Sequence, residues 1–156
     1  AMYHPGGSLG RRLLSRVKNL MKTGEDLALC SLDTKMKDVI VKMNEKRLGI
    51  LCVMKGEELV GIITEGDIRR ALSREEEFFT FHAEEIMTKQ YKKVEQDMLA
   101  NEALSYMEEG KYQISVMPVF FIGYLLFPDT YHDLPFYEKQ FLPILFPFDH
   151  NYSKGR

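Results

Sequence analysis

Met36-Lys37-Asp38-Val39-Ile40-Val41-Lys42-Met43 and Ala100-Asn101-Glu102-Ala103-Leu104-Ser105-Tyr106-Met107 carry apolar residues at the same four places, 64 positions apart. Met36, Val39, Ile40 and Met43 answer to Ala100, Ala103, Leu104 and Met107. Their i, i+3, i+4, i+7 spacing predicts a helix with one apolar face in each copy. Outward from the helices the match continues. Ahead of each lies a short hydrophobic stretch ending in Met, Val17-Lys18-Asn19-Leu20-Met21 and Ala83-Glu84-Glu85-Ile86-Met87, and after each a strand-like run. Residues 17–72 and 83–119 therefore read as two copies of one supersecondary unit, and such a repeat governs the reading of the whole fold.

The first copy predicts a strand over 27–32, a helix over 36–46 started by Asp33-Thr34, and a strand over 48–54. A hairpin turn at Lys55-Gly56-Glu57, a strand over 59–64 and a helix at about 67–75 complete it. Residues 73–82 join the copies. The second copy repeats the plan with a strand over 91–96, a helix over 98–109 and a strand over 114–119. Strands with helices on one side make an α/β unit. Upstream, Pro5, Gly6 and Gly7 mark a turn, and Leu9, Leu13 and Leu14 begin a short helix with Ser8 as its N-cap.

After Val119 the repeat calls for a turn, a strand and a final helix, and the pattern stops instead. Residues 120–156 hold 11 of the 18 aromatic residues, four of the six prolines and none of the nine methionines. Pro128, Pro135, Pro143 and Pro147 oppose any long helix or central strand there. Two readings stand: a tail for a partner or a membrane interface, or a non-native ending from a shifted reading frame in AT-rich DNA.

A chain of 156 residues suits one domain or two small units that would be marginal apart. The net charge of −2 offers no electrostatic case for nucleic acid or an anionic membrane. No run approaches the roughly 18–20 apolar residues of a membrane span, and nothing at the start reads as a signal peptide. Both readings favour the cytoplasm. Cys30 and Cys52, inside apolar runs, read as buried free thiols.

Gly61-Ile62-Ile63-Thr64-Glu65-Gly66-Asp67-Ile68-Arg69-Arg70 is the strongest candidate site. A strand ending at Thr64 delivers the chain into a helix N-terminus, where free N–H groups and the dipole favour an anion such as phosphate. Asp67 in the first turn has the acceptors for both hydroxyls of a ribose. Gly61 allows close approach to the backbone, and Gly66 loosens the turn. Equally, Thr64-x-x-Asp67 has the spacing of a capping box, so both side chains could serve only the helix end. The two readings remain open on residues alone. His4, His82, His132 and His150 are scattered and no His or Cys pair has metal-ligand spacing, so no metal site is expected. No Ser, Cys or Thr stands in a nucleophile-elbow context.

These residues resemble a pair of CBS domains (a Bateman module), a tandem of strand-helix-strand-strand-helix repeats with the second repeat incomplete. Gly61-Ile-Ile-Thr64-Glu-Gly-Asp67 is similar to the family's Gly-x-x-Thr/Ser-x-x-Asp nucleotide motif, and Ile114-Ser-Val-Met-Pro-Val119 to its second-strand signature. Tyr3-His-Pro-Gly-Gly-Ser-Leu-Gly-Arg-Arg-Leu-Leu14 ahead of such a pair resembles arabinose-5-phosphate isomerases of the KpsF/GutQ, sugar-isomerase (SIS) type. In those enzymes it joins the catalytic SIS domain to a C-terminal CBS pair.

The resemblance implies an organisation: 1–16 a linker from an absent SIS domain, 17–75 the first repeat, 76–82 a linker, 83–119 a truncated second repeat and 120–156 an atypical tail. It implies a regulatory module sensing a nucleotide or nucleotide-sugar, attached to an enzyme interconverting ribulose 5-phosphate and arabinose 5-phosphate for Kdo synthesis. A ligand-free dimerisation module is the alternative. Thr64 and Asp67 are implied as ribose and phosphate contacts, with Met21, Thr23, Leu48 and Ile50 flanking the base. The ligand would be a CMP-sugar or an adenine nucleotide, and packing between pairs would make a homodimer, within a tetrameric parent. His4 alone matches the implied catalytic set, so this chain by itself is expected to lack isomerase activity.

Overall fold

In the computed structural model residues 8–74, 76–110, 114, 116–120 and 144–147 are described, and His4 lies outside them. A short helix α1 (Ser8–Leu13) comes first. The first copy then forms β1 (Leu29–Ser31), α2 (Met36–Lys46), β2 (Ile50–Lys55), β3 (Glu58–Thr64) and α3 (Glu65–Leu72). The second forms α4 (Ala83–Ile86), β4 (Val94–Glu95), α5 (Ala100–Glu108) and β5 (Val116–Phe120), and further on lies β6 (Ile144–Pro147).

The two copies build two three-stranded sheets of the same design, β1-β2-β3 and β4-β5-β6. In each, the outer two connections differ in sense: β1 runs parallel to β2 and β4 to β5, while β2–β3 and β5–β6 are antiparallel. The reason lies in the chain. A helix separates the parallel strands, as a crossover requires, and a two-residue turn links β2 to β3. Gly56 makes that turn with a φ of 62°.

α2 starts after Lys35, whose backbone is extended, and stops where Arg47 turns left-handed at φ 52° and donates its N–H to the Met43 carbonyl. Met36, Val39 and Met43 are buried against the first sheet, each contributing about 1.5–3 kcal/mol by burial. Ile40, the fourth member of the predicted face, is 37% exposed. In α5 the same split recurs: Ala100, Ala103 and Met107 are buried and Leu104 only half-buried.

The tail supplies one strand that the repeat pattern does not specify. Its prolines oppose a long helix or a central strand, and the structure has neither at 144–147: Ile144–Pro147 is a short strand along β5, Val119 opposite Ile144 and Val116 opposite Pro147. β6 is the outer strand of its sheet, where a proline costs no obligatory ladder bond. The joining segment is also more than a linker. Phe78 and Phe81 are buried in the first core, and Arg74 pairs with Glu77 at 2.8 Å on its exposed side.

The lead-in segments are exchanged between the copies. Residues 81–84 dock on the first copy: Met36 N–H donates to the Phe81 carbonyl, Ala83 N–H to Thr34 and Glu84 N–H to Leu32. Residues 15–18 make the same three bonds to the second: Ala100 N–H to Ser15, Val17 N–H to Met98 and Lys18 N–H to Gln96. Val17 is accordingly buried with Val94, Ala103 and Met117, and Ala83 with Val39 and Leu51. Each packed unit thus mixes the two sequence copies. A third cluster, Leu27, Ile50, Cys52, Leu59 and Ile62, fills the other face of the first sheet, with Tyr91 and Val116 of the second copy against it.

Candidate functional site

β3 ends at Thr64 with extended backbone (φ −107°, ψ 168°), and α3 begins on the next residue, two positions earlier than the sequence predicted. Thr64 is therefore the N-cap and Asp67 the third helical residue. Their side chains close a capping box: Thr64 N–H donates to Asp67 Oδ2 at 2.8 Å, and Asp67 N–H donates to Thr64 Oγ1 at 3.4 Å. The Thr64 hydroxyl also donates to Oδ2, at 2.8 Å.

The other carboxylate oxygen looks outward from the helix. Asp67 Oδ1 accepts from the Thr88 hydroxyl at 3.0 Å and is ion-paired with Arg70. The Asp67 side chain is 4% exposed, whereas that of Arg70 is 73% exposed. Four donors thus hold one carboxylate, which is how a buried charge becomes tolerable. The Arg70 guanidinium folds back over the first turn, and a Cβ at Gly66 would lie 3.6 Å from its Nη1. Gly61, one turn of strand earlier, faces Met87 so closely that a Cβ there would sit 2.5 Å from its Sδ.

Of the predicted ligand residues the fold assembles one group. Ile50 stands directly opposite Thr64 in the β2–β3 register. Leu48 packs on the cluster that holds Ile50, and a Cβ at Gly49, between them, would lie 3.9 Å from Glu65 Oε1. Met21 is placed otherwise, against the core of the second unit with Val17 and Ala100. Thr23 is exposed and precedes the turn Gly24–Asp26. Thr88 is the partner that sequence reasoning passed over, and Arg70, inside the candidate stretch, is turned to Asp67. The repeat hid Thr88, because Lys22 stands at the matching place after Met21.

Cys30 and Cys52 are free and buried, on opposite faces of the first sheet. Burial pushes the Cys30 thiol up to about 11 and the Cys52 thiol up to about 12. An open groove of about 550 Å³ runs between Gly24–Leu29 and the Lys42, Glu45 and Lys46 side of α2. It lies apart from Thr64 and Asp67, and its ionic side chains balance one another in sign. Among the described residues no three His, Cys, Asp or Glu side chains gather as a metal site, and no helix is long and apolar enough to cross a membrane.

Comparison with known proteins agrees with this architecture. Residues 17–74 match the CBS domain family. The arabinose 5-phosphate isomerase KdsD of Pseudomonas aeruginosa is 41% identical over 112 residues, 71% of this chain and 34% of that protein. A probable arabinose 5-phosphate isomerase of Haemophilus influenzae is 43% identical over 71% of this chain and 33% of its own length. The chain therefore spans about a third of these relatives. Among solved structures, an uncharacterised conserved protein of Pyrococcus horikoshii superposes with a TM-score of 0.65 at 18% identity, covering 92% of this chain and 96% of that one. The CBS domain pair of protein MJ0100, solved with 5′-methylthioadenosine and S-adenosyl-L-methionine, superposes with a TM-score of 0.58 at 23% identity, covering 69% and 81%. Residues 17–74 thus carry a CBS domain, and the chain is related to the arabinose 5-phosphate isomerases over about a third of their length.

Proposed function

We propose that this chain is a regulatory module of an arabinose 5-phosphate isomerase and senses a ribonucleotide or nucleotide-sugar through its first copy. The observation that carries the reading is the junction where Ile50, Thr64 and Asp67 meet at the N-terminus of α3. An apolar strand start offers a wall for a base, the carboxylate offers acceptors for a ribose, and the helix end favours phosphate. The solved relative that holds adenosine derivatives supports the ligand class. Self-association as a dimer belongs to the same proposal. Ile40 and Val41 on α2, Leu72 at the end of α3 and Phe79 remain exposed and apolar, which suits packing against a second copy.

A specific observation favours a second reading, a ligand-free structural module: all of Asp67's bonds are already made within the chain. Titration of AMP, CMP and a CMP-sugar against Asp67→Ala and Thr64→Val separates the two. Asp67→Ala removes a charged acceptor and is expected to cost roughly 1.5–3 kcal/mol, about 10- to 150-fold in affinity. Thr64→Val is expected to cost on the order of 1 kcal/mol. If Asp67→Ala lowers the melting temperature and leaves nucleotide affinity unchanged, the carboxylate is a cap only.

A further inference from the structure

We infer that Asp67, Thr88 and Ile62 form a latch between the two copies, and that a ribose arriving at Asp67 opens it. The inference rests on the nucleotide reading above and adds its consequence. Asp67 is 5% exposed, so no ligand hydroxyl reaches its carboxylate unless a present donor leaves. The two bonds to Thr64 belong to the helix cap and would cost α3 its start. Displacing Arg70 removes the charge partner of a buried carboxylate, the costlier exchange. Thr88 is the neutral donor, and it comes from the other copy. A ribose hydroxyl reproduces its bond with the same chemistry.

What Thr88 holds decides the outcome. Its N–H donates to the Ile62 carbonyl at 2.8 Å and its carbonyl accepts from Ile62 N–H at 3.0 Å, so Thr88 is the point at which the second lead-in covers the edge of β3. Met87, beside it, fills the hollow over Gly61. Loss of the hydroxyl bond weakens this docking without touching α2 or β2. Ligand occupancy at Asp67 is thereby coupled to how firmly the second lead-in sits on the first unit. Coupling of this kind is reciprocal: whatever loosens Thr88 tightens the ligand by the same factor.

The test measures amide hydrogen exchange at Thr88 and Ile62 by NMR on the purified chain, with and without AMP or CMP, in wild type, Thr88→Val and Thr88→Ser. Saturating nucleotide is expected to speed exchange at both amides about fivefold, the worth of one such hydrogen bond, and to leave α2 amides unchanged. Thr88→Val should show the faster exchange without ligand and bind nucleotide about fivefold more tightly, and Thr88→Ser should restore both values. Nucleotide that raises the melting temperature but leaves exchange at Thr88 unchanged overturns the latch and spares the nucleotide reading. If neither nucleotide binds, the nucleotide reading and the release step fall together. Unchanged exchange in Thr88→Val then refutes the clamp as well, whereas faster exchange supports the clamp.

Discussion

Gly61→Ala probes the seating of one copy on the other without touching Asp67. An alanine Cβ at this position would lie 2.5 Å from Met87 Sδ, 2.9 Å from its Cγ and 3.2 Å from its Cβ. The sulfur can swing away, since it sits far out on a flexible chain. The Met87 Cβ cannot, because Met87 N–H is bonded to Ala83 and Thr88 is bridged to Ile62. Overpacking of this sort costs about 1–3 kcal/mol. Alanine regains only about 0.4–1 kcal/mol by restricting the unfolded chain, so the clash wins and the sign is destabilising. For a chain of this size the melting temperature should fall by about 2–4 °C per kcal/mol. Met87→Ala in the same background removes Cγ and Sδ and relieves most of the contact. The double variant should therefore be less destabilised than the two singles added, by about 1–2 kcal/mol in a urea-melt cycle. Additivity within about 0.5 kcal/mol would mean that Gly61 and Met87 do not press on one another, and the close approach would be refuted.

Three further outcomes are expected. The bond from Lys18, aided by the nearby Lys18 and Arg16 charges, holds the Asp97 carboxyl below the usual carboxylate range. The stability from this tie is fully present above the ordinary aspartate value and is lost as pH falls through the lower folded value. Melting temperature against pH should show a shallower acid limb in Asp97→Asn, and an unchanged limb would count against the tie. The Cys30 thiol, raised by burial to about 11, should form thiolate about 100-fold less readily at pH 8 than an ordinary cysteine. Rapid labelling of both native thiols by a disulfide reagent would contradict their burial, and labelling only after denaturant would agree with it. Light scattering at tens of micromolar should report a dimer, with Ile40→Lys and Val41→Lys together shifting it toward monomer; a wild-type monomer would refute the association.

The helical periodicity at 36–43 and 100–107 was enough to place α2 and α5 and the α/β class, because a 3.6-residue repeat of apolar side chains is a local property. The hairpin at Gly56 and the capping box at Thr64 and Asp67 were legible for the same reason, each depending on residues a few positions apart. Ile40 was misassigned to the core because periodicity defines a stripe, and only the width of the sheet beneath decides how much of the stripe is covered. β6 was not placed because residues 120–156 carry no periodicity that marks a strand, whereas a free edge at β5 can recruit four residues from a distant segment.

The candidate site divides along the same line. Thr64, Asp67, Leu48 and Ile50 lie together because β2 and β3 are joined by a tight turn whose register the sequence constrains. Met21 falls elsewhere because the first lead-in docks on the second copy, an exchange that three matching backbone bonds create on each side. Nothing in the order of residues distinguishes a lead-in packed on its own copy from one packed on its neighbour, since the two copies share one pattern of strands and helix. Sequence alone therefore determined the repeated unit and the chemistry at the start of α3. The tertiary structure decided which copy each lead-in covers, and with it that Thr88, 21 residues away, completes the shell of Asp67.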